Sequence, residues 1–337
     1  MNKEAFFYEK AGDKAVHCFL CNHHCRIPES GFGFCGVRQN QSGTLYALNY
    51  GKVIASHVDP IEKKPLYHFL PGTESFSIAT VGCNFRCGFC QNWQISQETM
   101  KAGPGRQEEN TPLEIVNAAV RYNCKSISYT YTEPTIFIEF ALDCARLAKE
   151  KGLYNVFVTN GYMTSEALEE FAPYLDAANV DLKFFKEASY QDICHAKLGP
   201  VLDSIEKMKQ KGIWVEITTL VIPGLNDSKD ELGKIAAFIA GLDKDIPWHI
   251  SRFHPDYKFT EYAITPESIL DKAYEIGNAA GLRYVYTGNV AGKESNTYCP
   301  ACKKLLIKRR IFEVLENKVQ EDKCTYCKNA IAGLFVG

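Results

Sequence analysis

Three cysteines, Cys83, Cys87 and Cys90, fall within eight residues of this sequence. Their C-x3-C-x2-C spacing offers three thiolates on one short loop. The apolar run 76–81 just before them reads as a buried strand. Gly82 turns the chain out of that strand, which puts the thiols at its C-terminal end. Structural zinc takes four ligands, and no His or fourth Cys lies close by in sequence. Three thiolates better suit a 4Fe-4S cluster with one iron free of protein ligands. An open iron can bind and activate a small molecule, as an open catalytic metal site does. Buried structural thiols, or part of a zinc site, are the competing readings.

Eight more cysteines form two further groups. Cys18, Cys21, Cys25 and Cys35 fall within eighteen residues, around a Gly-rich turn. They read as one metal site. Zinc is the simplest occupant, since four thiolates can close a tetrahedron, and His17, His23 or His24 can replace one of them. A second iron–sulfur cluster is the rival, and unligated thiols in a small core are a third reading. Near the other end, Cys299-Pro-Ala-Cys302 and Cys324-Thr-Tyr-Cys327 are C-x2-C knuckles separated by 21 residues, close to the spacing of a zinc ribbon. Cys124, Cys144 and Cys194 stand alone, and the first two read as core. Fourteen cysteines behind an N-terminus with no secretory apolar segment point to reduced, metal-ligating thiols in the cytoplasm.

The elements that must position these residues follow from hydrophobic pattern. Strands are expected at 75–81, 126–132, 154–160, 177–183, 213–222, 247–254 and 283–289. Helices are expected near 111–122, 134–151, 164–174, 200–211, 227–241 and 265–280. β-branched strands alternating with helices imply an α/β fold with a parallel sheet. The expected architecture is a partial TIM-type (βα)6 barrel over 75–294. A Cys-rich module at 1–74 and a zinc-ribbon module at 295–337 flank it. Function in such a barrel sits at the C-terminal strand ends. In the first module, 44–50 and 52–56 read as a hairpin around Gly51. The segment 59–65 holds an acid and two lysines between prolines. It reads as a solvated linker, or as one that turns Lys63 or Lys64 toward a ligand.

The strand ends supply the remaining candidates. Glu133 is either a helix-start acid favoured by the helix dipole or the partner of a bound ammonium. Thr159-Asn160-Gly161 and Asp181-Leu-Lys183 end the next two strands, and Asp181 with Lys183 can form a structural ion pair. Glu216 lies in a strongly apolar strand, where an unpaired carboxylate would be costly. It is expected to point into the barrel and to hydrogen-bond a ligand or partner. On the sixth strand His249, Ser251 and Phe253 share one face, and Arg252 and His254 the other. Arg252 and His254 are expected at the mouth; a satisfied core histidine and a surface arginine are the alternative. Asn289 is a rim candidate, and Asn226-Asp227 are expected to turn the chain and cap the next helix.

The segment Cys83-Asn-Phe-Arg-Cys87-Gly-Phe89-Cys90 resembles the cluster motif of the radical SAM superfamily, C-x3-C-x-aromatic-C, with Phe89 at the aromatic position. The resemblance implies that the open iron chelates S-adenosylmethionine (SAM). It also implies that one electron cleaves SAM to methionine and a 5′-deoxyadenosyl radical, which takes hydrogen from a substrate. Tyr131-Thr132-Glu133 stands where the superfamily usually carries Gly-Gly-Glu, which implies that Glu133 meets the SAM amino group. Thr159-Asn160-Gly161 and Asp181-Leu-Lys183 resemble motifs of pyruvate formate-lyase-activating enzymes. That likeness implies Lys183 at the SAM carboxylate, with Thr159 and Asp181 in the same pocket. Val158 stands where those enzymes often carry Asp, so a bound monovalent cation is not expected. Val221-Ile-Pro-Gly224 resembles their adenine-contacting strand. The cofactor-binding set is then Phe89, Glu133, Thr159, Asn160, Asp181, Lys183, Glu216, Arg252 and His254.

Across 18–327 the chain resembles the radical SAM enzyme of the AmmeMemoRadiSam system, whose name ties it to two partner proteins. A reductase or flavodoxin-type electron donor is a further expected partner. Two enzyme readings follow: activase-like hydrogen abstraction from a protein, or modification of a nucleic-acid base or aromatic small molecule. A redox-sensing, metal-binding regulator is the reading from another class. The net charge of −2 over 337 residues gives no global argument for nucleic acid or an anionic membrane. No apolar run reaches the roughly eighteen residues of a membrane span. From residue 299 onward eight Lys/Arg face four Asp/Glu, so the last module is basic; it can touch RNA or an acidic protein, or present a solvated face.

Overall fold

Seven strands run parallel and side by side in chain order. They are β1 (Glu74–Thr80), β2 (Ser126–Tyr129), β3 (Tyr154–Thr159), β4 (Ala177–Asp181), β5 (Trp214–Val221), β6 (Trp248–Arg252) and β7 (Val285–Gly288). The structure is a computed structural model, and it describes residues 3–102, 107–290 and 295–335. Helices Pro112–Arg121, Ile138–Glu150, Ser165–Phe171, Leu198–Gln210, Lys229–Leu242 and Glu267–Ala279 fill the crossovers. Their starts are fixed locally. Thr111, Thr164 and Ser228 each accept an amide of the first turn on their side chains. Glu114 completes a capping box at Thr111. Ser228, rather than Asn226-Asp227, caps its helix; Asn226 accepts the Ile222 amide at 2.7 Å and so closes the preceding turn.

Apolar helix faces, such as Phe140, Ala141, Cys144 and Ala148, are buried in one core with Ile127, Phe157, Ile217 and Ile250 of the strands. Cys124 and Cys144 both belong to that core.

The expected hairpin at 44–56 does not form. Thr44–Ala47 pairs with Arg38–Gln41 and with Lys3–Glu4. The nine-residue strand Lys52–Pro60 instead runs antiparallel along the outer edge of β1, and Glu108–Glu109 joins it in turn. The reason is the open edge of β1, whose backbone groups need a partner. The main sheet therefore reaches across the expected 74/75 boundary. A small antiparallel sheet of Tyr8–Lys10, Val16–Cys18 and Cys25–Ile27 carries the first cysteine group.

At the other end Thr297–Tyr298, Leu305–Arg310 and Glu313–Asn317 form an antiparallel sheet. It is clamped to the segment after residue 60 by buried Arg309, which donates to the Tyr67 carbonyl at 2.8 Å and to Thr297 at 2.8 Å and lies 3.4 Å from Glu62. Residues 291–294, where the expected second boundary falls, lie outside the described residues. Among the described residues no helix is long and apolar enough to cross a membrane.

Candidate active site at the strand ends

Successive strand ends deliver their residues to one cavity of about 510 Å³. Cys83, Cys87, Phe89 and Cys90 line it after β1, Thr130 to Glu133 after β2, and Val158 to Asn160 at β3. Asp181 and Lys183 follow from β4, Thr218 and Leu220 from β5, Ser251 from β6 and Asn289 beyond β7. The rule that parallel α/β sheets place function at these ends is thus met by seven consecutive strands.

The three thiols have distinct surroundings. Cys83 Sγ accepts the Phe85 amide at 3.3 Å, and Cys90 Sγ lies 3.1 Å from Ser96 Oγ. Cys87 Sγ lies 3.6 Å from Cys194 Sγ, a thiol wholly buried and not part of the cavity wall. Removal from water pushes the Cys83 and Cys90 thiols up. For Cys87 the contact with Cys194 does so first, and burial adds to it. Three thiols that resist ionisation become good ligands only when a cationic centre stabilises the thiolates. Three cysteines that line one cavity, with no fourth on its wall, fit a cubane with one open iron. Phe89 is held edge-on by Phe184 and Phe259.

Glu133 is buried in a cradle of donors. Its Oε1 accepts Thr135 N at 3.0 Å, Thr135 Oγ1 at 2.5 Å and Thr159 Oγ1 at 2.8 Å, and its Oε2 accepts Asn160 N at 2.8 Å. Burial raises its pKa, while those donors favour the carboxylate. Oε2 keeps a lone pair for a donor in the cavity. Asn160 Nδ2 donates to Asn84 Oδ1 at 2.8 Å and so ties β3 to the cysteine loop. Lys183 Nζ lies 2.8 Å from Asp181 Oδ2 and 5.6 Å from the centre of the Phe89 ring. Burial works to lower the Lys183 pKa, but Asp181 and the neighbouring thiols outweigh it, so the ammonium stays charged.

Three expected ligands are placed elsewhere. Glu216 shares a strand face with Thr218 and Leu220 but sits nearer the other end of β5. Its two oxygens accept Tyr67 N at 3.0 Å, His68 N at 2.8 Å, Trp214 Nε1 at 3.0 Å and His249 Nε2 at 2.6 Å. The buried carboxylate is therefore spent on the chain's own backbone and rings, not on a ligand. Arg252 donates to the Thr265 carbonyl at 2.9 Å and does not line the cavity. His254 lies 2.9 Å from Gln91 Nε2, outside the wall that Gln91 itself lines. The reason is parity: His249 turns inward to Glu216, so Ser251 on the same face reaches the cavity and Arg252 turns away.

Two further stretches reach the cavity, and the first is the 59–65 segment with its two lysines. Lys63 and Lys64 line the cavity, held to Asp59 at 2.8 and 2.7 Å, and the Tyr131 hydroxyl donates to the same carboxylate. Burial lowers the Lys64 pKa to about 8, against the pull of Asp59. Phe312, from the turn of the C-terminal sheet, completes the wall. The prolines at 60 and 65 hinted at a fixed approach of the lysines. No sequence signal announced Cys194 or Phe312.

The other cysteine groups lie apart from this cavity. Cys299, Cys302, Cys324 and Cys327 bring their sulfurs within 4.8 Å of one another, the one such group of His, Cys, Asp or Glu among the described residues. Cys18 and Cys25 face each other across paired strands, and Cys21 bridges to Met163 after β3.

Comparison with known proteins bears on the family and the fold. Residues 77–239 match the Radical SAM superfamily model. An uncharacterized protein of Methanocaldococcus jannaschii is 48% identical over 333 residues, covering 98% of each chain. A pyruvate formate-lyase-activating enzyme of Clostridium pasteurianum is 25% identical over 167 residues, 48% of this chain and 67% of that one. Among solved structures, a radical SAM methyltransferase from Sphaerobacter thermophilus shares the fold with a TM-score of 0.52 at 18% identity, covering 70% of this chain and 71% of that one.

Proposed function

Because the chain belongs to the radical SAM superfamily, we propose that it is a radical SAM enzyme that takes hydrogen from a protein substrate. The observation that carries this reading is the convergence of Cys83, Cys87 and Cys90 with Glu133, Asp181 and Lys183 on one cavity. The superfamily implies a 4Fe-4S cluster and SAM, and Cys83, Cys87 and Cys90 would hold the cluster. When bound, these groups would supply the one-electron chemistry that begins hydrogen abstraction.

The chain's own residues bind, orient and exclude water. The free lone pair of Glu133 Oε2 would accept from the ammonium of bound SAM, a charge-assisted bond. Lys183 would meet the carboxylate of bound SAM, and Asp181 holds the Lys183 ammonium in place without it. Thr159 and Asn160 act one step back, by fixing the Glu133 carboxylate. Phe89, inside the cysteine loop, packs against Phe184 and Phe259 and gives the cavity an apolar wall. Lys63, Gln91, Asn289 and Phe312 border the remaining space, where the substrate enters.

In the same reading the seven parallel strands are a partial TIM-type barrel, and the C-terminal module is a zinc ribbon held by Cys299, Cys302, Cys324 and Cys327. The protein works in the cytoplasm with a flavodoxin-type or reductase electron donor, alongside the partner proteins of an AmmeMemoRadiSam system. The activase-like choice of a protein substrate is supported by the named activating enzyme among the relatives. The test is spectroscopic. The reduced wild type should give a paramagnetic signal that changes on addition of SAM, and a Cys83→Ala, Cys87→Ala, Cys90→Ala variant should lack that response. A variant that keeps the response would overturn the assignment.

A further inference from the structure

We propose that Cys18, Cys21, Cys25 and Cys35 hold a second iron–sulfur cluster, which passes electrons to the site at Cys83, Cys87 and Cys90. The metal assignment stands on this quartet alone, and its electron-transfer role rests on the proposed function.

Spacing carries the choice of metal. A zinc–thiolate bond of about 2.3 Å in a tetrahedron places sulfurs roughly 3.8 Å apart. The C-terminal four meet that need, with all sulfurs inside 4.8 Å. No three of the N-terminal four do, since among the described residues no other such group converges so closely. Cys83, Cys87 and Cys90 are spread wider in the same way. The quartet is nonetheless one constellation. Cys18 opposes Cys25 across two paired strands. A side chain on Gly33 would begin 3.6 Å from Cys35 Sγ, next to the Phe34 amide that reaches Cys25 Sγ, and all four cysteines pack in or against the same core cluster. Sulfurs that share one volume but stand too far apart for one ion suit a centre of several irons.

The quartet is also built for anionic sulfur. The Phe34 amide donates to Cys25 Sγ at 3.5 Å. The first thiol of the other group receives the same kind of donor, Phe85 N to Cys83. Hydrogen bonds to sulfur are among the features that set the potential of an iron–sulfur cluster.

The two cysteine loops touch on both sides of Cys83. A side chain on Gly82 would begin 3.0 Å from the Cys35 carbonyl. His23 Nε2 lies 2.6 Å from the Asn84 carbonyl. Arg86 donates to the Phe34 carbonyl and lies over its ring. An electron entering at the quartet therefore has a short covalent and hydrogen-bonded path. The balance is one electron per event. A low-potential donor of the flavodoxin or ferredoxin class is oxidised by one electron, the quartet's cluster is reduced and then reoxidised, and the second cluster gains that electron. No bond or proton changes place.

The test is iron, sulfide and zinc analysis with electron paramagnetic resonance on the full-length, anaerobically reconstituted chain. The Cys83→Ala, Cys87→Ala, Cys90→Ala variant should retain about two to four irons per chain, with a reducible signal indifferent to SAM. A Cys18→Ser, Cys25→Ser variant should lose that iron, keep the SAM-responsive signal, and be reduced more slowly by a flavodoxin. An iron-free triple-Ala variant, or one with two zincs per chain, overturns the proposal even if the Ser variant fails to fold. Failure of the functional reading looks different: iron persists at the quartet while the wild type shows no response to SAM.

Discussion

Lys183 can exchange one carboxylate for another, because Asp181 beside it is partly exposed and can be rehydrated. Lys183→Met should therefore weaken SAM binding by about ten- to a hundred-fold, the loss of one charge-assisted bond. Iron content and melting temperature should stay near wild type. Calorimetric titration of the anaerobic protein measures this, and unchanged affinity would remove Lys183 from the site. Glu216 makes the opposite case. With four buried donors on its carboxylate, Glu216→Ala should cost about 3–5 kcal/mol in denaturant unfolding, and the folded remainder should bind SAM normally. His68, nearby, gives a pH signature. Burial depresses its pKa to about 4, so between about pH 6.5 and pH 4 the unfolded chain binds the extra proton. Stability should fall as pH drops through that window, and the slope should flatten in His68→Gln. Thermal melts at stepped pH decide it. The cysteines, Glu133, Asp181 and Lys183 were legible because each sits next to a strand end marked by Gly, Pro or an apolar run. Arg252 and His254 lie off the cavity wall, and a period of two cannot say which face turns inward. The available cue was His249, two residues before Ser251 and on the strand next to Glu216.

At the scale of elements, the junction between the first cysteine sheet and β1 depends on Gly82. Its φ is +94°, and an added Cβ would lie 2.7 Å from Val37 Cγ1. Gly82→Ala should cost about 1–3 kcal/mol through strain alone. It should also loosen the loop that presents Cys83, seen as reduced iron retention; a variant with wild-type stability would refute the packing argument. The C-terminal sheet should depend on metal. The full chain should carry about one zinc at Cys299, Cys302, Cys324 and Cys327, and Cys302→Ser should lose it and lower the melting temperature, because so short a module has little core of its own. Metal analysis with a thermal melt checks this, and a zinc-free, equally stable wild type would contradict it. The helices and seven parallel strands were readable from periodicity and caps. The strand Lys52–Pro60 was not, because its partner is set by the free edge of β1 and not by the adjacent turn at Gly51.

Across the whole molecule, three separated stretches meet at one cavity. The segment holding Lys63 and Lys64, the ends of the parallel strands, and Phe312 of the last sheet all line it. The parallel α/β order was legible because strand and helix patterns alternate without interruption from residue 75. The clamp of Arg309 on Glu62 and Tyr67 was not, because contacts across some 240 residues leave no local trace. That clamp makes the C-terminal sheet part of the active-site wall, so the chain acts as a unit. The central claim is that this unit cleaves SAM by reduction at Cys83, Cys87 and Cys90. Its most direct test is chromatographic measurement of 5′-deoxyadenosine from the anaerobic, reconstituted protein with SAM, with and without dithionite. The account predicts product only with reductant, and none from the triple-Ala variant. Absence of product from the reduced, cluster-loaded wild type, or equal product from the variant, would contradict it.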